Sequence, residues 1–151
     1  MAILKAEHVL IHPNVTDRIQ LLQVMASKLD GSTRPGFIEA LLEREDQFPT
    51  GLPTEGIKFA IPHADGRFVR KNELALAVLS EPIEFRRMDN PGQEVLVEVV
   101  VMMAIKDSET QLEMLQKLIA LFSDNIFWTE MLTLTEPQEV MQKFNIRIQN
   151  Q

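Results

Sequence analysis

The sequence predicts an α/β fold, a single-domain mixed β-sheet flanked by helices on both faces. A length of 151 residues suits one domain, and we expect residues 1–151 to form it. Strand-like segments mix with helical ones along the whole chain, which is typical of a sheet covered by helices. The segment Glu94–Ile105 is almost continuously apolar and rich in valine, so we expect a central strand buried on both faces.

The first half of the chain predicts one strand followed by two helices. Val9–Ile11 suits a short first strand. Thr16 has the character of an N-cap, and the apolar stripe after it predicts a helix that stops at Gly31. A second helix is expected over Pro35–Gln47, where the proline suits the first turn. The segment Phe48–Gly51 then breaks the helix and turns the chain.

The second half of the chain predicts further strands and then helices. Glu73–Ser80 and Ile83–Arg87 have the character of two strands, and a turn separates them from the valine-rich segment. Capping boxes opened by Ser108 or by Thr110 both fit the start of the next long helix, so its register stays open. Asp124 suits the cap of a short helix behind it.

The stretch Gly56–Phe68 presents one histidine at the end of a strand. Lys58–Ile61 has strand character, and Pro62 has no backbone N–H, so the strand should end there and leave His63 at the start of a loop. Two interpretations are open, because a histidine beside an apolar run can simply pack into the core. In a chain without cysteine, His63 is also the best available nucleophile, since a neutral imidazole attacks an electrophile without a separate base.

Arg44 is a second candidate, near the end of the predicted second helix. One interpretation is a solvated arginine paired weakly with Glu43 or Glu45 in a charged helix end. The other is a guanidinium directed at an anion, which its planar set of donors would suit. Residue spacing alone leaves both interpretations open.

The composition excludes several kinds of site. The absence of cysteine removes disulfides, thiolate nucleophiles and cysteine-based metal sites. His8 and His12 are four residues apart, a spacing that suits a metal only on a helix, and we interpret both as structural or surface groups. Nothing in the sequence requires a cofactor or a metal.

Charge and hydropathy bound the partners and the location. A net charge of −7 argues against nucleic acid and against an anionic membrane as the main partner. The longest apolar run, Val99–Ile105, is far too short to insert stably across a membrane. No signal peptide is visible, so we expect a cytoplasmic protein.

Several stretches of the chain together resemble one known family. They are LLEREDQFPTGL, GIKFAIPHAD, the valine-rich strand and the helix QLEMLQKLIALF. This combination is similar to the enzyme IIA domain of the mannitol/fructose class in the bacterial phosphotransferase system. The resemblance covers nearly the whole chain, and its specific part is the IPHA core at Ile61–Ala64 with Arg44 and Glu45 upstream. The FPTGL segment most resembles the galactitol-type branch.

The resemblance implies a role for each candidate residue. His63 would be the phosphoryl acceptor, receiving the group from phospho-HPr and passing it to a cysteine on an enzyme IIB. Arg44 would be a nearby phosphate-stabilising group. Because partner proteins must approach His63 closely, we expect a shallow apolar depression there, lined by Phe48, Leu52 and Phe68.

Gln111 is where the chain departs from the family pattern. Mannitol- and nitrogen-type members often carry a second histidine at the start of the last long helix, where this chain has Gln111-Leu112. Two interpretations compete. Gln111 could complete a capping box with Ser108, or it could occupy the second-histidine site and hydrogen-bond to phosphorylated His63.

Three functions remain in view at this point. The first is a phosphocarrier for uptake of a sugar or polyol, such as one like galactitol. The second is a regulatory enzyme IIA-like protein that controls a partner through its phosphorylation state. The third is a non-catalytic binding domain in which His63 is only packed.

Overall fold

The computed structural model describes residues 4–151, which form one five-stranded sheet and five α-helices. The strands are β1 (Leu4–Ile11), β2 (Gly51–Leu52), β3 (Phe59–Ala60), β4 (Glu73–Arg86) and β5 (Glu94–Ala104). The helices are α1 (Arg18–Lys28), α2 (Phe37–Gln47), α3 (Ser108–Phe122), α4 (Asn125–Met131) and α5 (Pro137–Gln149). The spatial order β1-β4-β5-β3-β2 contains parallel and antiparallel pairs, so the sheet is mixed as predicted.

A hydrophobic core lies on each face of the sheet. On one face, α1 and α2 contribute buried side chains such as Leu22 and Leu41. On the other face, α3, α4 and α5 contribute Leu118, Trp128 and Phe144. The predicted α/β class with helices on both faces is therefore confirmed.

Strand β5 is the centre of the sheet, between β4 and β3. Every side chain from Val99 to Ala104 is fully buried, since the two faces of the strand contact the two cores. This confirms the central strand predicted from the valine-rich segment. Burial on both faces is what removes the polar alternation that a half-exposed strand would show.

The edge and neighbouring strands are longer than predicted. β1 extends from Leu4 instead of beginning at Val9, because it pairs in parallel with β4. The two predicted strands Glu73–Ser80 and Ile83–Arg87 form a single strand, β4. Its pairing with β5 shifts register between Val78 and Ile83, and this irregularity is the break that the sequence pattern indicated.

The first two helices begin at different residues from those predicted. Asp17 is the N-cap of α1, and its carboxylate accepts from the Gln20 N–H at 2.8 Å. Thr16 is therefore not the cap, and its own N–H donates to the Gln20 side chain. α2 begins after Gly36, whose φ of 94° is left-handed, so Pro35 lies outside the helix.

The start of α3 also differs from both predicted capping boxes. Asp107 is the N-cap and accepts from the Thr110 N–H at 2.9 Å and from its hydroxyl at 2.8 Å. The side chain of Gln111 is therefore not engaged in a cap. Asp124 caps α4 as predicted, accepting from the Phe127 N–H at 3.1 Å.

The short strand β3 is held by aromatic packing as well as by pairing. The ring of Phe59 stacks on Phe122 with 4.0 Å between centroids and meets Trp128 edge-on at 5.0 Å. The Trp128 indole N–H donates to the Leu121 carbonyl, so its polar atom is satisfied inside the core. This cluster fixes β3 against α3 and α4.

Pairing along β5 continues past Pro62, contrary to the prediction that the ladder stops there. The proline has no N–H, but its carbonyl accepts from the Met103 N–H at 3.0 Å. His63 then forms a parallel bridge with Met103.

No helix within residues 4–151 has the length and apolarity needed to cross a membrane.

Gly66 marks the closest approach between the loop after His63 and the chain that leaves β5. A Cβ at this position would lie 1.7 Å from the Lys106 carbonyl oxygen and 2.5 Å from its carbon, so the backbone would have to move. We expect Gly66→Ala to lower the free energy of unfolding by about 1–3 kcal/mol, as overpacking does. Urea denaturation measures this change.

Gly31→Ala is the matched control, because a Cβ at Gly31 meets nothing within 4 Å. Its stability should stay within about 0.5 kcal/mol of wild type. Equal stabilities of the Gly66→Ala and Gly31→Ala proteins would contradict the close approach.

Candidate functional site

His63 lies at the end of β3, where the chain leaves the sheet. Its side chain is packed in the protein, with 7% of the residue exposed. Nδ1 is 2.8 Å from the Ile61 carbonyl oxygen, which only accepts, so Nδ1 must carry the ring proton. Nε2 then has a free lone pair. Within residues 4–151, Nε2 has no hydrogen-bond partner and is not one of the fully buried polar atoms without one, so it keeps some contact with solvent.

The surroundings of His63 favour the neutral ring. Burial lowers the pKa of His63, and this effect outweighs the bond to Ile61, which raises it. The positive charge of Arg44 lowers the pKa of His63 further. The pKa therefore falls below the ordinary value of 6.5, and the imidazole is neutral near pH 7.

Arg44 lies in the last turn of α2 with its side chain exposed. Its guanidinium carbon is 5.7 Å from the centroid of the Phe48 ring, a cation–π arrangement. In the described part of the chain Arg44 forms no ion pair with Glu43 or Glu45. The expected pairing with Glu43 or Glu45 is therefore not formed, while the side chain is solvent-exposed as that interpretation also required. Whether the guanidinium binds an anion stays a prediction.

A groove of about 500 Å³ runs along the exposed side of Arg44. Phe48 and Phe68, two of the three residues expected to line a depression at His63, line this groove, and Phe48 is 63% exposed. Leu52 does not line this groove, and neither does His63. The groove is therefore not centred on the imidazole, contrary to the depression expected around His63.

Arg67 is a site residue that the sequence reasoning missed. It lines the same groove as Arg44, and its guanidinium carbon is 5.0 Å from the centroid of the Phe68 ring. The signal was present, since Arg67 follows His63 by four residues in the same stretch. The groove thus combines two guanidinium groups and two aromatic rings with three carboxyl side chains, those of Glu39, Glu43 and Asp65.

The turn that carries Arg67 uses its own backbone donors. The Arg67 N–H donates to the Asp65 carboxylate at 2.9 Å, and the Phe68 N–H donates to the Asp65 carbonyl. The Val69 N–H donates to the Gly66 carbonyl. These three N–H groups are satisfied within the loop and are not available to an incoming anion.

Gln111 reaches the site from α3. Its amide Nε2 donates to the Ala64 carbonyl at 3.2 Å, so it binds the residue that follows His63. Because Asp107 caps α3, the capping interpretation of Gln111 is wrong. The hydrogen bond ties the start of the helix to the loop that presents the imidazole.

The sequence reasoning named Glu45 as part of the motif but missed that its side chain is buried. Only 4% of it is exposed, and its carboxylate accepts from the Thr50 N–H at 2.9 Å and from the Thr50 hydroxyl at 2.8 Å. Burial raises the pKa of Glu45 to about 7, although the bonds to Thr50 and the charges of Arg18 and Arg44 lower it. Its spacing was the signal, since Glu45 follows the buried Phe37 and Leu41 at intervals of four on one helix face.

The two other histidines lie apart from this site. His8 is on β1, with Nδ1 3.6 Å from the Glu73 carboxylate, and His12 follows β1 with a φ of 52°. Within residues 4–151 no cluster of three or more His, Asp or Glu side chains could hold a metal ion.

Residues 2–146 match the family model described as "Phosphoenolpyruvate-dependent sugar phosphotransferase system, EIIA 2". The chain belongs to this family. The resemblance inferred from the sequence is thereby confirmed, and the protein is of enzyme IIA type, a component of a phosphotransferase system.

Two relatives show how far the sequence similarity extends. The galactitol-specific EIIA component of Escherichia coli K12 is 25% identical over 124 residues, covering 81% of this chain and 82% of that protein. The 2-O-alpha-mannosyl-D-glycerate-specific EIIABC component of the same strain is 27% identical over 138 residues, covering 87% of this chain. The chain spans only 20% of that relative's length.

Solved structures share the fold. The crystal structure of IIA mannitol from Escherichia coli has a TM-score of 0.74 at 19% identity, covering 92% of this chain and 96% of that chain. An NMR structure of a complex of enzyme IIA and phosphorylated enzyme IIB for mannitol, also from Escherichia coli, has a TM-score of 0.74 at 18% identity. This match covers 98% of this chain and 99% of that chain. At these identities the likeness shows the fold alone.

The raised pKa of Glu45 predicts a pH dependence of stability. The carboxyl has a pKa of about 7 in the fold, against its ordinary value of 4.5, so between these pH values the folded protein holds a proton that the unfolded chain has lost. The associated stability is fully present below pH 4.5 and is lost as the pH rises through 7. We expect the stability of wild type relative to Glu45→Gln to increase by about 2 kcal/mol from pH 8 to pH 5.

Urea denaturation of both proteins across this range measures the difference. The shift of His63 is common to the two proteins and cancels in the comparison. Stability curves that run parallel from pH 8 to pH 5 would contradict the raised pKa of Glu45.

Proposed function

We propose that this chain is a phosphocarrier of the bacterial sugar phosphotransferase system. It accepts a phosphoryl group from phospho-HPr on His63 and passes it to a cysteine of an enzyme IIB, for uptake of a sugar or polyol. The observation that carries this proposal is the His63 ring, whose Nδ1 is engaged by the Ile61 carbonyl while Nε2 stays open. Family membership supports the same class of chemistry.

The first step is attack by the Nε2 lone pair on phosphorus. The Nε2–phosphorus bond forms, the bond from phosphorus to the donor breaks, and its electron pair leaves with the donor. The lowered pKa of His63 keeps that lone pair available near neutral pH. The ring becomes more positive as it takes the group, and the Ile61 carbonyl oxygen at Nδ1 stabilises that charge.

The second step returns the ring to its starting state. A cysteine thiolate of enzyme IIB attacks phosphorus, a sulfur–phosphorus bond forms, and the Nε2–phosphorus bond breaks. Its electron pair returns to Nε2. No proton has to leave Nδ1 in either direction, so the bond to Ile61 persists throughout the cycle.

Arg44 and Gln111 have supporting roles in this proposal. Phosphoryl transfer proceeds through a loose transition state, so the protein mainly positions groups and neutralises charge. The unpaired guanidinium of Arg44 is near enough to His63 to lower its pKa, and it stabilises the phosphoryl oxygens. Gln111 holds the Ala64 carbonyl and thereby the loop beside the acceptor, and its amide is also available as a neutral donor to the phosphoryl group.

The partners follow from the same proposal. The related mannitol IIA is described in complex with a phosphorylated enzyme IIB, which supports an enzyme IIB partner for this chain. The galactitol-specific relative supports a polyol as the transported substrate. The proposed site for both exchanges is the surface around Nε2 and the adjoining groove of Arg44 and Phe48. We place these exchanges in the cytoplasm.

Two other functions make different predictions. A regulatory enzyme IIA-like protein would be phosphorylated in the same way but would not support transport by a matching enzyme IIB and membrane component. A non-catalytic binding domain would not be phosphorylated at all. The neutral His63 ring with an accessible Nε2 disfavours the non-catalytic binding domain, because a histidine that only packs has no need of an accessible ring nitrogen.

Phosphorylation of His63 is the direct test. Incubation with phosphoenolpyruvate, enzyme I and HPr should add one phosphoryl group, which mass spectrometry detects. The adduct should be labile in acid and stable in alkali. His63→Gln should abolish it, and glutamine keeps much of the buried volume of the imidazole.

His12→Ala is the control, because His12 is an exposed histidine outside the site. It should be labelled like wild type. Labelling that persists in the His63→Gln protein would refute the assignment of the acceptor.

The role of Arg44 predicts a change in transfer rate. Arg44→Gln should slow transfer from phospho-HPr by roughly ten- to a hundredfold, about 1.4–2.7 kcal/mol in barrier. Arg44→Lys should recover only part of the rate, because an ammonium lacks the planar pair of donors. Single-turnover labelling measures these rates.

Arg86→Gln is the matched control for loss of an arginine. Arg86 lies opposite Glu94 in the pairing of β4 with β5, at the end of β5 away from the Met103 bridge to His63. The Arg86→Gln protein should transfer the phosphoryl group at the wild-type rate. A normal rate in the Arg44→Gln protein would show that Arg44 is dispensable for transfer.

A further inference from the structure

An unbroken chain of hydrogen bonds links the end of α2 to the His63 imidazole. The Glu45 carboxylate accepts from both the N–H and the hydroxyl of Thr50, at 2.9 and 2.8 Å. The Thr50 hydroxyl oxygen accepts in turn from the Ile61 N–H at 3.2 Å. The Ile61 carbonyl then accepts from His63 Nδ1 at 2.8 Å. Four residues from three segments are joined in this way.

All four residues are buried. The exposed fractions are 4% for Glu45, 2% for Thr50, 0% for Ile61 and 7% for His63. Water has little access to replace a lost bond here, so each donor and acceptor depends on its protein partner. A carboxylate at such a position is unfavourable unless it is well hydrogen-bonded, and Thr50 supplies both of its bonds.

The hydrogen bond between Thr50 and the Ile61 N–H affects the orientation of the Ile61 carbonyl, which binds the His63 ring. The Ile61–Pro62 peptide has no N–H, so no hydrogen bond to its nitrogen can fix its plane. Its orientation depends on the flanking bonds, which are those of the Ile61 N–H to Thr50 and of the Met103 N–H to the Pro62 carbonyl. The hydrogen bond from the Ile61 N–H to Thr50 therefore helps to orient the Ile61 carbonyl.

Glu45 determines which way the Thr50 hydroxyl points. Because the hydroxyl proton is donated to the carboxylate, the hydroxyl oxygen presents a lone pair to the Ile61 N–H. Without the carboxylate the hydroxyl could rotate, and its oxygen would no longer be committed to Ile61. The Ile61 N–H would then keep only its longer contact of 3.4 Å to the Thr50 carbonyl.

We propose that Glu45 and Thr50 are positioning residues which, through the main chain of Ile61, hold His63 in the tautomer with the proton on Nδ1. This tautomer leaves Nε2 as the free nitrogen. The inference rests on the proposed function where it concerns transfer rate. Where it concerns the tautomer, it stands on the hydrogen bonds alone.

Thr50→Val is the principal test, because valine keeps the shape of threonine and removes only the hydroxyl. Long-range ¹H–¹⁵N correlation spectra at pH 7.5 report which nitrogen of His63 carries the proton. We expect a single Nδ1–H tautomer in wild type and a mixture of tautomers in Thr50→Val. Thr50→Ser restores a hydroxyl and should restore the wild-type spectrum.

Thr33→Val is the matched control. Thr33 is also a buried threonine, and its hydroxyl donates to the Leu29 carbonyl at 3.1 Å, outside the chain that leads to His63. Its loss should leave the His63 tautomer unchanged. A tautomer mixture in both variants would mean that any buried hydroxyl has the effect, and this outcome would overturn the proposal.

The second measurement is single-turnover transfer from phospho-HPr. The rate in Thr50→Val should fall by roughly three- to tenfold because the ring is less well oriented, and Thr33→Val should react like wild type. A folded Thr50→Val protein with the wild-type tautomer and rate would overturn the proposal. If Thr50→Val does not fold, the Glu45→Gln protein takes its place with the same criteria. If no variant, wild type included, accepts a phosphoryl group, the proposed function fails and the tautomer spectra still decide the positioning role.

Discussion

The pairing of β3 with β5 is the constraint on which the site depends. β3 has only two residues, yet it lies beside a strand that is buried on both faces. The Met103 N–H and the Pro62 carbonyl extend this pairing beyond the strand itself. His63 therefore belongs to a loop but is held by pairing to a sheet strand, which would suit the exchange with two partners that we propose.

The alternation of side chains along this segment brings both layers of helices to the site. Phe59 and Ile61 pack into the core under α3, α4 and α5, whereas Ala60 and Ala64 pack into the core under α1 and α2. His63 lies between Ile61, which packs into the first core, and Ala64, which packs into the second. Groups from α2 and from α3 can therefore converge on one imidazole although the helices lie on opposite faces.

Strands and helices whose buried faces show as a local pattern of apolar residues could be predicted from the sequence. The valine-rich β5 and the apolar stripes of the helices are examples, since each depends on a local pattern with a known period. The helix starts were less predictable. Thr16 and Asp17 are adjacent and both can cap, as can Asp107 and Ser108, and local pattern does not separate neighbours with similar capping strength.

The residues of the candidate site could be predicted in part, but most of their contacts could not. His63 and Arg44 carried a motif and could be named, and the motif placed Gln111 without showing that it reaches the Ala64 carbonyl. The hydrogen bond from Gln111 to Ala64 and the groove that Arg44 shares with Arg67 depend on how separate segments meet. Such contacts leave no trace in a linear pattern of residue types.

Arg44 and Glu45 show how tertiary position separates two neighbours that look alike in sequence. Both are charged residues in the last turns of α2, but successive residues on a helix point about 100° apart. Glu45 continues the buried face of Phe37 and Leu41, and Arg44 faces the groove. Burial raises the pKa of Glu45 toward neutrality and lowers that of His63, so both buried groups tend to lose their charge. A guanidinium carries a positive charge, so under the proposed function Arg44 supplies a cation at the surface beside two buried groups that favour their neutral forms.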